Sequence, residues 1–290
     1  IDVLKRGMQT VEGPRRHERY GTTVVLSVIC RSHLVQCLAA VGSFGEGVPH
    51  GQEGIKIAEE LDHPVSLIYV NCSLGVLFLM QGETDKAIPL LERALRICQS
   101  ADIPVYVPFV ASRLGAAHLF AGRVFESLPY LKQGVENFPT VGRVGFLSLS
   151  MVWLGEGYLL SGRLAEASDL AERALQLSRT HKERGHEAWA LKLLGDVALA
   201  HNPPKTQQAK AYYHQVSTAS LELGMRPLQA HCHLSLGELY GRIGQSDKAR
   251  KELSTAIDLY RLMEMTAGLR KAEIAFAKIA DTVPVANQTG

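Results

Sequence analysis

The residues best equipped for chemistry are His231, Cys232 and His233, three metal-ligand types in a row. Consecutive helical residues point about 100° apart, so these three cannot converge on one ion. Chelation would need His231 together with a partner from elsewhere in the chain, and packing with ordinary polar roles is expected instead. Gly155-Glu156-Gly157 opens like a dinucleotide-binding fingerprint, but the third glycine is out of place and no strand-like run precedes it. It reads as a packing site. The sequence carries no phosphate-binding P-loop, nucleophile elbow or HExxH pattern. No catalytic residue, cofactor or metal is therefore expected, and the chain is read as a non-enzyme.

Composition narrows the partners. The 290 residues hold 31 basic and 29 acidic side chains, a net charge of +2. The nearest approach to a basic stripe, Arg15-Arg16-His17-Glu18-Arg19, is diluted by Glu18, so no nucleic-acid partner is expected. No apolar run is read as reaching the 18 residues that span a bilayer, and no membrane is expected. Cys30, Cys37, Cys72, Cys98 and Cys232 form no CxxC pair and fall mostly within apolar helical patterns, as buried thiols of a reducing cytoplasm would. A chain that begins at Ile1 is read as a piece of a longer protein.

The elements that position these residues follow from a period. Gly75, Gly115, Gly155 and Gly195 are spaced by 40, and Gly237 follows after 42. A second glycine lies seven residues on at Gly82, Gly122, Gly162 and Gly244, while Asn202 takes that place in the unit that carries the Pro203-Pro204 insertion. Periods of 20–50 residues signal stacked helical repeats, which serve binding more often than catalysis. Each unit reads as two helices. The first carries Leu-Gly near its middle, and the second carries alanines seven apart, Ala87 and Ala94, Ala167 and Ala174, Ala249 and Ala256. A spacing of seven is two helical turns, so both small residues lie on one face and admit a neighbouring helix. Mid-helix glycine costs about 1 kcal/mol relative to alanine, and a close helix crossing is the packing reason for its recurrence.

These residues resemble the tetratricopeptide (TPR) family: Gly75, Phe78, Ala87 and Ala94 match its Gly, aromatic, Ala, Ala spacing, as do Gly155, Tyr158, Ala167 and Ala174, and Gly237, Tyr240, Ala249 and Ala256. The unit around Gly115 departs, with His118, Ser127 and Gly134, and the first departs furthest, with Val35, Gly47 and Gly54. Segments 183–191 and 224–234 resemble the C-terminal TPR region of bacterial adenylate and guanylate cyclases that carry an AAA-type ATPase module. The resemblance implies an all-α, right-handed superhelical solenoid with a period near 40 residues. It is expected to form a single domain over 1–280, with a remnant helix at 1–12, six helix pairs across 22–263 and a capping helix at 268–280. Residues 281–290 are expected to be a disordered tail. The cap is expected to turn Arg270, Lys271, Glu273 and Lys278 outward and Leu269, Ala272, Ile274, Ala275, Phe276 and Ile279 inward.

In that family the first helices line a concave groove. Carried onto this chain, the groove positions include Tyr69, Phe109, Phe120, Glu156, Trp189, Lys192, Asp196, His231, Glu238 and Arg242. The wall they make is graded, apolar and aromatic towards the N-terminal end, acidic with interspersed base towards the C-terminal end. The resemblance implies a cytoplasmic protein-interaction scaffold that regulates a bacterial signalling protein. Its partner would be a protein or peptide segment in the groove, or the ATPase and cyclase domains upstream. Glu156, Asp196 and Glu238 would receive a basic or amide-rich segment, and reversing all three charges would weaken binding without unfolding. A small-molecule or peptide effector held in a closed pocket, and self-association, stay open as alternatives.

Overall fold

Helices in this chain end where a residue turns left-handed. Gly82 and Gly122 have φ of 92° and 79°, and the following amide reaches back to close the last turn, Glu83 N–H to Phe78 O at 2.8 Å and Arg123 N–H to His118 O at 2.9 Å. The same closure recurs after the second helix of a pair, where Asp62, Asp102, Lys182 and Glu264 take φ of 45–58°. The unit around Gly195 departs. Its Asn202-Pro203 bond is cis, and Lys205 N–H bonds to Ala198 O at 2.9 Å across the longer turn.

The computed structural model describes residues 1–13, 16–138 and 146–281, and every regular element among them is helical. After α1 (Asp2–Thr10) come six pairs: α2 (Leu26–Val41) with α3 (Phe44–Glu60), α4 (Pro64–Gln81) with α5 (Thr84–Ser100), α6 (Val107–Phe120) with α7 (Val124–Asn137), α8 (Leu147–Leu160) with α9 (Leu164–Thr180), α10 (Arg184–Ala200) with α11 (Thr206–Glu222), and α12 (Arg226–Arg242) with α13 (Ser246–Leu262). A last helix, α14 (Thr266–Asp281), follows. Pro14, Arg15, Arg143 and the tail from 282 onward lie outside the described residues.

The recurrent glycines sit where helices cross too closely for a side chain. A Cβ on Gly115 would stand 2.7 Å from Leu131 Cγ and 2.9 Å from its backbone nitrogen, and one on Gly195 would stand 2.5 Å from the ring of Tyr213. The paired alanines of the second helices are fully buried at these crossings. Successive first helices also pack on one another, α2 on α4, α4 on α6 and so on to α14, whereas each second helix packs on the first helix that follows it. This sets the first helices on the inside of a right-handed solenoid.

α4 corrects the reading of the apolar runs. It is 18 residues long with a mean hydropathy of 1.5, long and apolar enough to cross a membrane by length and composition, and 67% of it is buried inside the protein. Its apolarity is that of an inner-layer helix covered on all sides by α2, α3, α5 and α6.

The superhelix also comes round on itself. Arg226 at the start of α12 donates from Nε to Val41 O at 2.7 Å and from Nη2 to Ser43 Oγ at 3.2 Å. Gly42 packs so closely against Met263 that a Cβ would lie 2.3 Å from its Sδ, and Gly82 meets Ala267. One apolar core joins Val35, Ala39, Phe44 and Leu77 to Ala230, Tyr260, Met263 and Met265. The first two pairs and the last pair therefore share a seam.

Candidate functional site

The inner wall divides into two halves of different chemistry. In the C-terminal half, Lys192 and Asp196 stand one turn apart on α10 and pair at 2.6 Å, both largely buried. Asp196 uses its other oxygen to accept from Tyr213 Oη at 2.6 Å, and Tyr213 reaches it from α11 because Gly195 leaves its ring room. One turn before Lys192, Trp189 lies 5.8 Å from His231, whose Nδ1 is 2.7 Å from Tyr260 Oη. Burial lowers the His231 imidazole to about 3, helped by the charges of Lys192 and Lys271, so it is neutral at pH 7. Burial pulls the Lys192 ammonium down, but Asp196 and Glu156 more than reverse this and its pKa is raised.

Glu156 completes this half and is the member left unsatisfied. It projects from α8 within electrostatic reach of Lys192, Asp196 and Lys271, yet its Oε2 is buried with no hydrogen-bond partner among the described residues. Burial pushes its carboxyl up to about 7, against the pull of Lys192. A buried acceptor without a donor costs about 1–3 kcal/mol. Beyond it, α12 and α14 bound a cleft of about 510 Å³ lined by Leu234, Glu238, Arg242, Lys271, Ile274 and Lys278, among others.

Lys271 and Lys278 therefore face the cleft rather than turning outward as expected of a cap. The reason is register: α14 continues the inner layer, burying Ala272 and packing Gly268 on Tyr260, so residues one turn apart along its inner side line the wall. Ile274, expected inward, is exposed at the cleft.

The N-terminal half is aromatic. Tyr69 lies tilted against Phe109 at 5.6 Å and meets Tyr106 edge-on at 5.7 Å, and Phe109 meets Phe146 edge-on at 5.8 Å. Over the Phe109 ring, at 3.5 Å from its centroid, lies the guanidinium of Arg113. The grading from apolar to charged thus has an exception, because the aromatic end holds a buried cation.

Of the sequence-predicted positions, the structure brings together Trp189 and His231, Lys192 and Asp196 with Glu156 near them, and Glu238 with Arg242. Tyr69 is half-buried, whereas Phe109 is only 3% exposed and forms a floor beneath Arg113 instead of an open contact surface. Phe120, 42% exposed at the end of α6, stands apart from the other nine. His231, Cys232 and His233 diverge: Cys232 Sγ donates to Tyr213 O at 3.2 Å, and His233 Nδ1 pairs with Glu252 at 2.6 Å. Among the described residues no group of three metal-ligand types assembles. Arg113, Phe146, Tyr213 and Tyr260 were not legible from the groove rows.

In the helix pair α12–α13, residues 230–261 match the family model described as tetratricopeptide repeat. Those residues are similar to a tetratricopeptide repeat. The TPR-like fold extends through the described helices. It is similar to the apo form of RapI (12% identity, TM-score 0.61, covering 96% of this chain and 90% of that one). It is similar also to a Rap protein complexed with competence and sporulation factor (12% identity, TM-score 0.63, covering 88% and 85%). A third similarity is to a signal-transduction ATPase with numerous domains and a TPR sensor, from Pyrococcus horikoshii (16% identity, TM-score 0.58). That match covers 96% of this chain, which spans 43% of the Pyrococcus protein. Among curated proteins, none matches the sequence significantly.

Proposed function

We propose that this chain is a non-catalytic binding module that regulates a larger bacterial signalling protein of the cyclase and ATPase type, in the cytoplasm. Its inner wall takes a protein or peptide segment. The observation that carries this reading is the unsatisfied Glu156 carboxyl within electrostatic reach of Lys192 and Asp196, in the half of the wall that also holds Trp189 and His231: buried polar groups with an acceptor left over fit a ligand that supplies the donor. Backbone amides or a basic side chain would do so. The likeness to a Rap protein in complex with a factor, and to an ATPase with a TPR sensor, supports regulation by binding. The seam between the first and last pairs supports a second reading, an effector-sensing role, because a superhelix closed on its side suits a short ligand.

The test is a random-sequence heptapeptide library passed over the immobilised protein, with retained peptides identified by mass spectrometry and titrated by tryptophan fluorescence. Retained peptides are expected to perturb Trp189 and to bind at least tenfold more weakly to Glu156→Gln. Retention of no peptide, or equal binding by Glu156→Gln, overturns the reading. Light scattering of the chain mixed with its upstream domains then asks whether the segment is supplied by the same protein.

A further inference from the structure

Among the described residues two arginines are almost wholly buried, and they are treated differently. Arg31, 4% exposed, is paired with the carboxylate of Glu12 and donates to Ser27 O. Arg113, 2% exposed, has no carboxylate partner among the described residues. Its single hydrogen bond runs from Nη1 to Phe109 O at 2.8 Å, within its own helix, and its Nε is buried without a partner. Among the described residues no carboxylate acts on it: the groups that favour its charged form are the Cys72 thiol, which burial itself pushes up to about 12, and Tyr69. Burial lowers Arg113 itself only to about 10, so it remains a cation.

A buried charge without a counter-ion is strongly unfavourable, and a ligand that supplies the counter-ion recovers that loss. The surroundings are suited to such a ligand. Phe109 covers one region of the guanidinium at 3.5 Å and Phe146 another at 4.8 Å, which attracts the cation to the ring faces while Nε stays without a partner. Phe146 is held in an unfavourable backbone state, φ 72°, at the N-cap of α8, where Arg163 and Glu183 at other helix starts have φ of −86° and −85°. Bulky side chains adopt this region only where the surroundings enforce it.

We propose that Arg113 is the receptor for one oxyanion of the ligand, a carboxylate or a phosphate, bound on the guanidinium edge with Phe109 and Phe146 over its faces. This rests on the inner-wall reading above and extends it. Arg113 and Glu156 lie on adjacent inner helices and three residues apart in repeat register, which places their backbones about 10 Å apart. The ligand then carries an anionic group and a donor group separated by about three residues of extended chain.

The test uses four heptapeptide libraries on the wild-type protein: free C-terminus, amidated C-terminus, amidated without Asp or Glu, and the last with one phosphoserine. Inorganic phosphate serves as competitor. The acid-free amidated library is expected to be retained at least tenfold less than the best retained of the other three. Loss on amidation alone identifies the terminal carboxylate, retention of the amidated library identifies a side-chain carboxylate, and enrichment of the phosphoserine library identifies phosphate. Arg113→Gln is expected to abolish these preferences, and Arg113→Lys to keep a reduced one, with thermal melts reporting whether each variant folds. Equal retention of the acid-free amidated library overturns this inference and leaves the wall reading standing. Retention of none of the libraries overturns both.

Discussion

The two halves of the inner wall handle buried charge in opposite ways. In the C-terminal half Lys192, Asp196 and Tyr213 satisfy one another, so the charges fix α10 against α11. In the N-terminal half Arg113 lies among aromatic rings and, among the described residues, bonds to a backbone carbonyl alone. A networked charge fixes the scaffold, and an unpaired one does not. Glu156 belongs with Arg113 in this respect, although it neighbours the network. The expectation that reversing Glu156, Asp196 and Glu238 together would spare the fold needs revision, because Asp196 is committed to two internal partners while Glu238 is exposed.

The contrast is broken most directly at Asp196. Its replacement by alanine leaves a buried ammonium and a buried phenol without an acceptor, and urea unfolding is expected to register a loss of about 3–5 kcal/mol. Glu156→Gln, which removes an unsatisfied charge, is expected to leave stability unchanged or raised in the same assay. A loss below about 1 kcal/mol at Asp196 would erase the distinction between networked and unpaired charge. In the aromatic half, Phe109→Ala removes the floor under Arg113 and is expected to cost about 3 kcal/mol.

Proton linkage sharpens the comparison within the polar half. Glu156 has an ordinary value of 4.5 and about 7 in the fold, so it holds its proton more tightly when folded, and stability falls as pH rises between those values. His231 goes from 6.5 to about 3, holds its proton less tightly when folded, and makes stability rise with pH over that range. Each slope reaches about 1.4 kcal/mol per pH unit, and from pH 4.5 to 6.5 they oppose. Melting temperature against pH is expected to be flatter for the wild type than for Glu156→Gln, which keeps the rise, or His231→Phe, which keeps the fall. Superimposable profiles for all three would remove these groups from the account. The smallest effect is expected at the seam, where Arg226→Ala costs about 1 kcal/mol and raises hydrogen exchange in α2 and α12 together.

The repeat frame was legible because its signals are local. Gly115 and Gly195 mark crossings that no side chain can enter, and Gly82 and Gly122 mark helix ends that need positive φ. The seam was not legible, because Arg226 and Val41 are 185 residues apart and meet only through the rotation accumulated over every intervening pair. Trp189, Lys192, Asp196 and His231 came from the register of the groove rows. Arg113 lies outside those rows, two residues before its Leu-Gly glycine, yet one signal was available: it is the only Lys, Arg, Asp or Glu between Asp102 and Arg123. Tyr213 and Tyr260 come from second helices and enter the wall through gaps left by Gly195 and Gly268, a consequence of packing depth that periodicity does not encode.

In an open solenoid each repeat contacts only its neighbours, stability is nearly a sum along a line, and the end repeats fray first. Where Arg226 grips Val41 and Ser43, and Met263 seats on Gly42, that line becomes a loop in the contact graph. The first pair acquires a second neighbour, and neither end is free to melt alone. Deleting α13 and α14 would then unfasten α2 and α3 at the opposite terminus, and a ligand spanning the inner wall would be felt at both ends at once.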